Sequence, residues 1–267
     1  MSVRPGDRAS YAARVAGLEA RATYPIGADH FKLDHGPDYF AFFDRLGEVR
    51  YLAALDGERV VGVAAGILRS VPLRQGERPA LAWYLCDLKI DPEYRRQRIP
   101  LRMMRAGFCP NVLRCRRGYG ITMNPAEGEN PVVRLVTHWR WTPIRVAAEL
   151  RLYTFDAEQA ADLRPTLEAE RGPVHYLSLR GVKDVVLQSS GQAMPLLHLQ
   201  HGSAHALAPT VGERHDEEQP EHVHMLCAPA GDPLDQALQA RGHEPSSTAT
   251  LVAHGLSSDW RFVLTSG

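Results

Sequence analysis

Apolar and polar positions change period twice along this chain of 267 residues. Over residues 10–21, apolar side chains fall at Tyr11, Val15 and Leu18 and continue at Ala22, the spacing of one helix face, with Ser10 placed to cap it. A second helix is predicted over residues 37–46, with Pro37 suited to the first turn and Gly47 to the exit. The pattern then becomes strand-like over residues 50–55 and 59–68, joined by Asp56-Gly57, a strong hairpin signal. A polar turn at 74–78 leads to a third strand, 80–90, stopped by Asp91-Pro92. A basic helical segment (95–107), a buried strand (119–123), a helix (131–139) and a long strand (144–155) follow. That order predicts an α/β (α+β) fold, a mixed sheet flanked by helices with at least one right-handed crossover.

Beyond Asp156 the text partly repeats. Met123, Asn130-Pro131 and Pro143 find counterparts at Met225, Asp232-Pro233 and Pro245, all 102 residues later. Both stretches read strand, Asx-Pro helix start, helix, turn, strand, which predicts two related halves, 1–155 and a smaller 156–267. Residues 208–221 are polar and acidic and read as an exposed loop.

Composition narrows the classes. Apolar residues make up 44% and charged residues 23%, enough apolar content to build a core. Thirty-one cations balance 31 anions, so no global field draws the chain to nucleic acid or membrane, and neither partner is expected. No apolar stretch approaches the roughly 20 residues needed to span a bilayer, and the start lacks a signal-peptide core, so the expected compartment is the cytoplasm. Cys86, Cys109, Cys115 and Cys227 show no C-x-x-C spacing. Histidines 198, 201, 205, 222 and 224 lack a carboxylate or cysteine at a recognised partner spacing, and no metal is expected.

The chemistry concentrates in LAWYLCDLKIDPEYRRQRIPLRMMRAG, residues 81–107. A strand, a tight turn and a helix N-terminus aim backbone N–H groups at one spot, which suits a phosphate or diphosphate. Arg95, Arg96, Arg98 and Arg102 add guanidinium groups matched to phosphate oxygens. This segment resembles the GNAT (GCN5-related) N-acyltransferase superfamily, in which a strand runs into V-x-P-x-x-R-x-x-G-x-G/A and a helix. Ile90, Pro92 and Arg95 stand at the valine, proline and leading arginine positions, and Asn130-Pro131 resembles the family's later asparagine-bearing helix.

The resemblance implies an acyltransferase moving an acyl group from acetyl-CoA or another acyl-CoA to a small-molecule amine by direct attack. It implies a carbonyl-binding strand at Leu88, Lys89 and Ile90, and a phosphate cradle of Arg95, Arg96, Gln97, Arg98, Ile99, Pro100 and Leu101, with Asn130 beside it. Asp87, just ahead of the turn, is the candidate base, because an attacking amine must lose a proton. Strand alternation groups Asp87, Lys89 and Asp91 on one face, with Leu88 and Ile90 on the other. The family's helix tyrosine, which protonates the leaving thiolate, is missing. His138 is the candidate in its place, with Tyr119 and Tyr153 as alternatives.

Both family glycines are replaced, by Arg98 and Pro100. A left-handed backbone at Arg98 adds roughly 1–2 kcal/mol of strain. Pro100 removes an N–H, worth about 1.5–3 kcal/mol if that bond meets a charged group. These losses keep two alternatives open: a binding module without turnover, and an acyl carrier protein as donor, whose phosphopantetheine arm carries one phosphate.

Overall fold

The computed structural model describes residues 2–3, 7–26, 29–44, 46–71, 78–125, 127–138, 142–172, 174–176, 183–201, 223–256 and 260–262. The first half comprises β1 (Ser2–Val3), α1 (Arg8–Glu19), β2 (Tyr24–Ile26), β3 (Asp29–Asp34), α2 (Ala41–Asp44), β4 (Glu48–Asp56), β5 (Arg59–Val71), β6 (Ala80–Ile90), α3 (Ile99–Asn111), β7 (Gly118–Met123), α4 (Pro131–Thr137) and β8 (Arg145–Phe155). The second comprises α5 (Ala157–Arg171), β9 (Val174–Tyr176), β10 (Lys183–Leu187), β11 (Ala193–His201), β12 (Val223–Pro229), α6 (Pro233–Ala240) and β13 (Ser247–His254). The fold is a mixed, mostly antiparallel sheet flanked by helices, with β6·β7 and β11·β12 as its parallel pairs.

Local chemistry explains the central elements. β4 and β5 form a hairpin closed at Asp56↔Arg59, with Gly57 at φ 56° in the turn. Asn130 and Asp232 cap α4 and α6 by accepting from the first-turn N–H groups, and each helix starts with proline, whose missing N–H costs nothing there. The predicted helix over 37–46 shrinks to Ala41–Asp44. Tyr39, Phe40, Phe42, Phe43 and Leu46 are all buried, so packing on several sides, not one helix face, sets this segment. β2 and β3, absent from the sequence reading, occupy residues 24–34.

The repeat is visible in the elements themselves. α4 and α6 begin at Pro131 and Pro233, and β8 and β13 at Arg145 and Ser247, each pair 102 residues apart. The two copies exchange strands. In the order β7-β13-β8-β12, β13 lies between β7 and β8, and β8 lies between β13 and β12. Leu251, Ala253, Leu256 and Trp260 consequently join a core with Tyr11, Val15, Leu18, Ile67, Tyr84 and Tyr119. A second core holds Tyr153, Phe155, Leu163, Leu167, Leu226, Leu234 and Leu238. Ile99 and Met103 of α3 seal the opposite face of the sheet against Val61.

Candidate functional site at the bulge of β6

Along β6, Ala82 and Tyr84 turn toward the main core, joined by the partly buried Cys86. The pairing with β5 then slips: Ala65 faces Cys86 but Val63 faces Lys89, so Asp87 and Leu88 stand opposite Ala64 alone. This is a β-bulge, with Asp87 at φ 56°. It advances the alternation by one residue. Lys89 and Asp91 thereby arrive on the core side, while Ile90 joins Val61, Ile99 and Met103 under α3.

The bulge coincides with the point where the parallel neighbours separate. β6 pairs with β7 only at Trp83↔Gly118, Tyr84↔Tyr119 and Leu85↔Gly120. β7 stays paired with β13 as far as Met123, so an opening separates residues 86–90 from 121–123. Asp91 N–H donates to Val61 O at 3.0 Å, on the β5 side. Backbone alternation then turns the N–H of Ile90 toward the opening and that of Lys89 toward β5.

Past the strand, Asp91 caps a single 3-10 turn, Pro92–Tyr94, and accepts from Arg21 and Arg59, each at 2.8 Å. Arg96 and Arg98 follow at φ 66° and 57°. Together with Asp87 they are the three non-glycine residues with positive φ among the described residues, all within one turn-and-strand segment. A left-handed backbone costs roughly 1–2 kcal/mol per such residue, and clustered strain of this kind marks functional segments. The strain anticipated at Arg98 is present. Arg95, Arg96, Arg98 and Arg102 are exposed and pair with no described residue, so their cations are available around the N-terminus of α3. Gln97 is exposed, Ile99 is buried under the sheet, and Pro100 and Leu101 complete the first turn of α3.

On the core side of the bulge lies a buried ionic cluster. Lys89 Nζ donates to Asp87 at 2.6 Å, to Glu19 at 2.6 Å and to Tyr39 Oη at 3.0 Å, and sits 5.1 Å from the centre of the Tyr39 ring. Asp87 Oδ2 accepts from Tyr39 Oη at 2.5 Å and from Tyr51 Oη at 2.9 Å. Glu19 reaches His35 Nδ1 at 3.0 Å. Asp87, Lys89, Glu19 and His35 have side chains no more than 7% exposed. Burial would raise the Asp87 carboxyl, but the charges of Lys89 and His35 and the hydrogen bonds from Lys89 and Tyr39 outweigh it and hold it below the usual range. For Lys89, burial opposes the charge and Asp87 and Glu19 restore it, leaving its pKa raised. Burial raises the Tyr39 hydroxyl, with the Asp87 and Glu19 charges adding to it.

These partners bear directly on Asp87 as a candidate base. A carboxylate that already accepts three hydrogen bonds from a lysine and two tyrosines, with a lowered pKa, is a weak proton acceptor. Its bonds to Lys89, Tyr39 and Tyr51 hold the bulged backbone in place. Asn130 is likewise spent locally: its amide donates to Met123 O at 2.9 Å and to Asn124, and its oxygen caps α4. His138 is exposed at the end of α4, with Nδ1 2.7 Å from Arg134 O and no bond to the Asp87 cluster. Of the alternatives, Tyr153 donates to Asp235 in the second core, and Tyr119 stacks on Tyr84 at 5.0 Å. Glu19, His35 and Tyr39 were missed by the sequence reading. The one local hint was Glu19, which continues the buried helix face of Tyr11, Val15 and Leu18.

The remaining sequence signals place as follows. Burial pushes the Cys86 thiol up and the Cys227 thiol up to about 12, as for small core residues. Among the described residues no three potential metal ligands gather, and His205 and His222 lie outside those residues, as does the acidic loop 208–221. No described helix is long and apolar enough to cross a membrane.

No family model matches the chain, and no curated protein matches its sequence. Among solved structures it superposes on a tandem GNAT protein from the clavulanic acid biosynthesis pathway, solved without AcCoA. The TM-score is 0.51 at 12% identity, covering 97% of this chain and 99% of that one. Eis1 from Mycobacterium abscessus aligns over 92% of this chain and 71% of its own, with a TM-score of 0.43 at 12% identity. The near-complete mutual coverage shows that this chain shares the fold of that tandem protein along its whole length.

Proposed function

We propose that this chain is an acyltransferase that takes an acyl group from a CoA thioester and passes it to an amine by direct attack. The observation that carries the reading is the opening between β6 and β7 at the Asp87–Leu88 bulge, contiguous with a left-handed turn bearing four available guanidinium groups. A thioester laid between the parted strands meets unpaired backbone, foremost the N–H of Ile90, which polarises the carbonyl as the tetrahedral intermediate forms. The turn at residues 95–101 and the positive end of the 13-residue α3 face the diphosphate. Pro100 subtracts one amide donor, and the arginines supply charge in its place.

Calorimetric titration with acetyl-CoA and longer acyl-CoAs, alongside a free-thiol assay across a panel of amines, tests this. Binding together with thiol release that depends on an amine supports transfer; no binding of any acyl-CoA overturns it. Thiol release without an amine points instead to hydrolysis. A second reading, a binding module without turnover, is favoured by the closure of the Asp87–Lys89–Glu19 cluster, which leaves Asp87 no spare capacity as a base. Binding without thiol release would establish that reading.

A further inference from the structure

The cluster behind the bulge has the form of an ammonium receptor. An –NH3+ group has three donors, and the one on Lys89 finds three acceptors: the carboxylates of Glu19 and Asp87 at 2.6 Å each, and Tyr39 Oη at 3.0 Å. The Tyr39 ring, 5.1 Å away, adds a cation–π contact. The receptor lies on the side of β6 opposite α3, with Asp87 in the bulge itself, behind the opening to which the proposed function assigns the thioester. A second feature points to use beyond neutralising one lysine. His35 is joined to the receptor through Glu19, yet its Nε2, buried with the rest of the ring, has no partner. Two carboxylates thus face Lys89 and His35, and Lys183 from the second half lies near enough, 5.4 Å over the Phe42 ring, for its pKa to be lowered by burial and then by the charge of Lys89.

We infer that Glu19, Asp87 and Tyr39 form the site for the acceptor's primary ammonium group, and that in the free protein the side chain of Lys89 holds that place. The inference rests on the acyl-transfer reading and names the acceptor class it requires. An incoming R–NH3+ displaces the Lys89 side chain and releases one proton to Glu19 and the imidazole beyond it. The amine lone pair then forms the N–C bond to the thioester carbonyl. As the tetrahedral intermediate collapses, the C–S bond breaks and the second proton passes from nitrogen to the thiolate. The products are an amide, a free thiol and one proton returned to solvent. Lys89 acts as an internal competitor, so only amines with further contacts displace it, and small amines are excluded.

The test is replacement of the internal ammonium by an external one. Lys89→Ala leaves space for n-propylammonium. Added at a hundredfold excess over its Kd, this ion is expected to raise the melting temperature of the variant by about 5 °C, while n-propanol leaves it unchanged. Equal effects of the two compounds overturn the inference, as does no effect of either, and mark Lys89 as a structural ion pair. Should Lys89→Ala not fold, Lys89→Val, which suits a strand, is read by thiol release from acetyl-CoA with ethylamine. Its kcat/KM is expected to exceed that of the parent by about tenfold once the competitor is gone, and a rate at or below the parent's overturns the inference. Acyl-CoA titration of both proteins separates the failures: intact thioester binding without amine selectivity sinks the ammonium site alone, whereas loss of thioester binding in the parent sinks the acyl-transfer reading.

Discussion

Lys89 and Asp87 meet at 2.6 Å on the core side of β6 because the bulge between them shifts the strand's alternation by one residue. Without that extra residue, Lys89 would turn toward α3, where Val61, Ile99 and Met103 pack, and its charge would be buried without partners. One backbone irregularity thus decides whether the strand carries a paired cation or an untenable one.

Removing the anion should be costly. Asp87→Asn leaves Lys89 with Glu19 as its one full charge and is expected to lower stability by about 3 kcal/mol, the order for breaking a buried pair. The midpoint of urea unfolding checks this.

The same carboxylate sets an acid limit. Its pKa lies lower in the folded chain than the ordinary 3.8. Its stabilising contribution is therefore complete above that value and disappears as pH falls through the folded pKa. Thermal melts between neutrality and pH 2 should show stability falling below about pH 4, with a shallower fall in Asp87→Asn. Lys89, with its raised pKa, gives the mirror image at high pH: its contribution is lost as pH rises past 10.5 and through its folded value.

Arg98→Gly should separate stability from binding. Glycine accepts φ 57° without a Cβ clash, so relief of strain less the added unfolded-state entropy leaves a gain of up to about 1 kcal/mol. Under the proposed acyl-CoA binding at this turn, affinity should move the opposite way, because one of its cations is gone. Melting temperature and calorimetric Kd, measured on one preparation, give the two signs.

Pro100→Ala restores a main-chain donor at the first turn of α3. Where that N–H meets a phosphate oxygen, affinity for acetyl-CoA should rise by about tenfold. An unchanged Kd would place the diphosphate elsewhere on the turn.

Sequence periodicity was informative where structure is local. β6 was read residue for residue, because a long apolar run is cut off by Asp91-Pro92, and the arginine turn and the start of α3 followed from the same punctuation. The 102-residue repeat was legible through the Asx-Pro caps of α4 and α6, which are local devices too. What escaped was every feature fixed by distant partners. Glu19 lies 70 positions from Lys89 and Tyr39 lies 48 from Asp87, so no window along the chain joins them. The bulge escaped because a strand's register belongs to the pair, not to either strand. β3 escaped because its pattern, Asp29–Asp34, is amphipathic in no obvious period and is stabilised by pairing with β10 of the other half.

The position of β13 between β7 and β8 governs how the protein can be made. During synthesis the first 155 residues emerge with a gap in their sheet, since the strand that fills it ends at His254. Residues such as Leu251 and Ala253 reach the main core only when most of the chain has left the ribosome. Folding one half at a time is therefore closed to this chain, and completion waits for a late, sequence-distant closure of the kind that slows folding. A polypeptide halted before residue 247 would display two unpaired strand edges, on β7 and β8, to any neighbour in the cell.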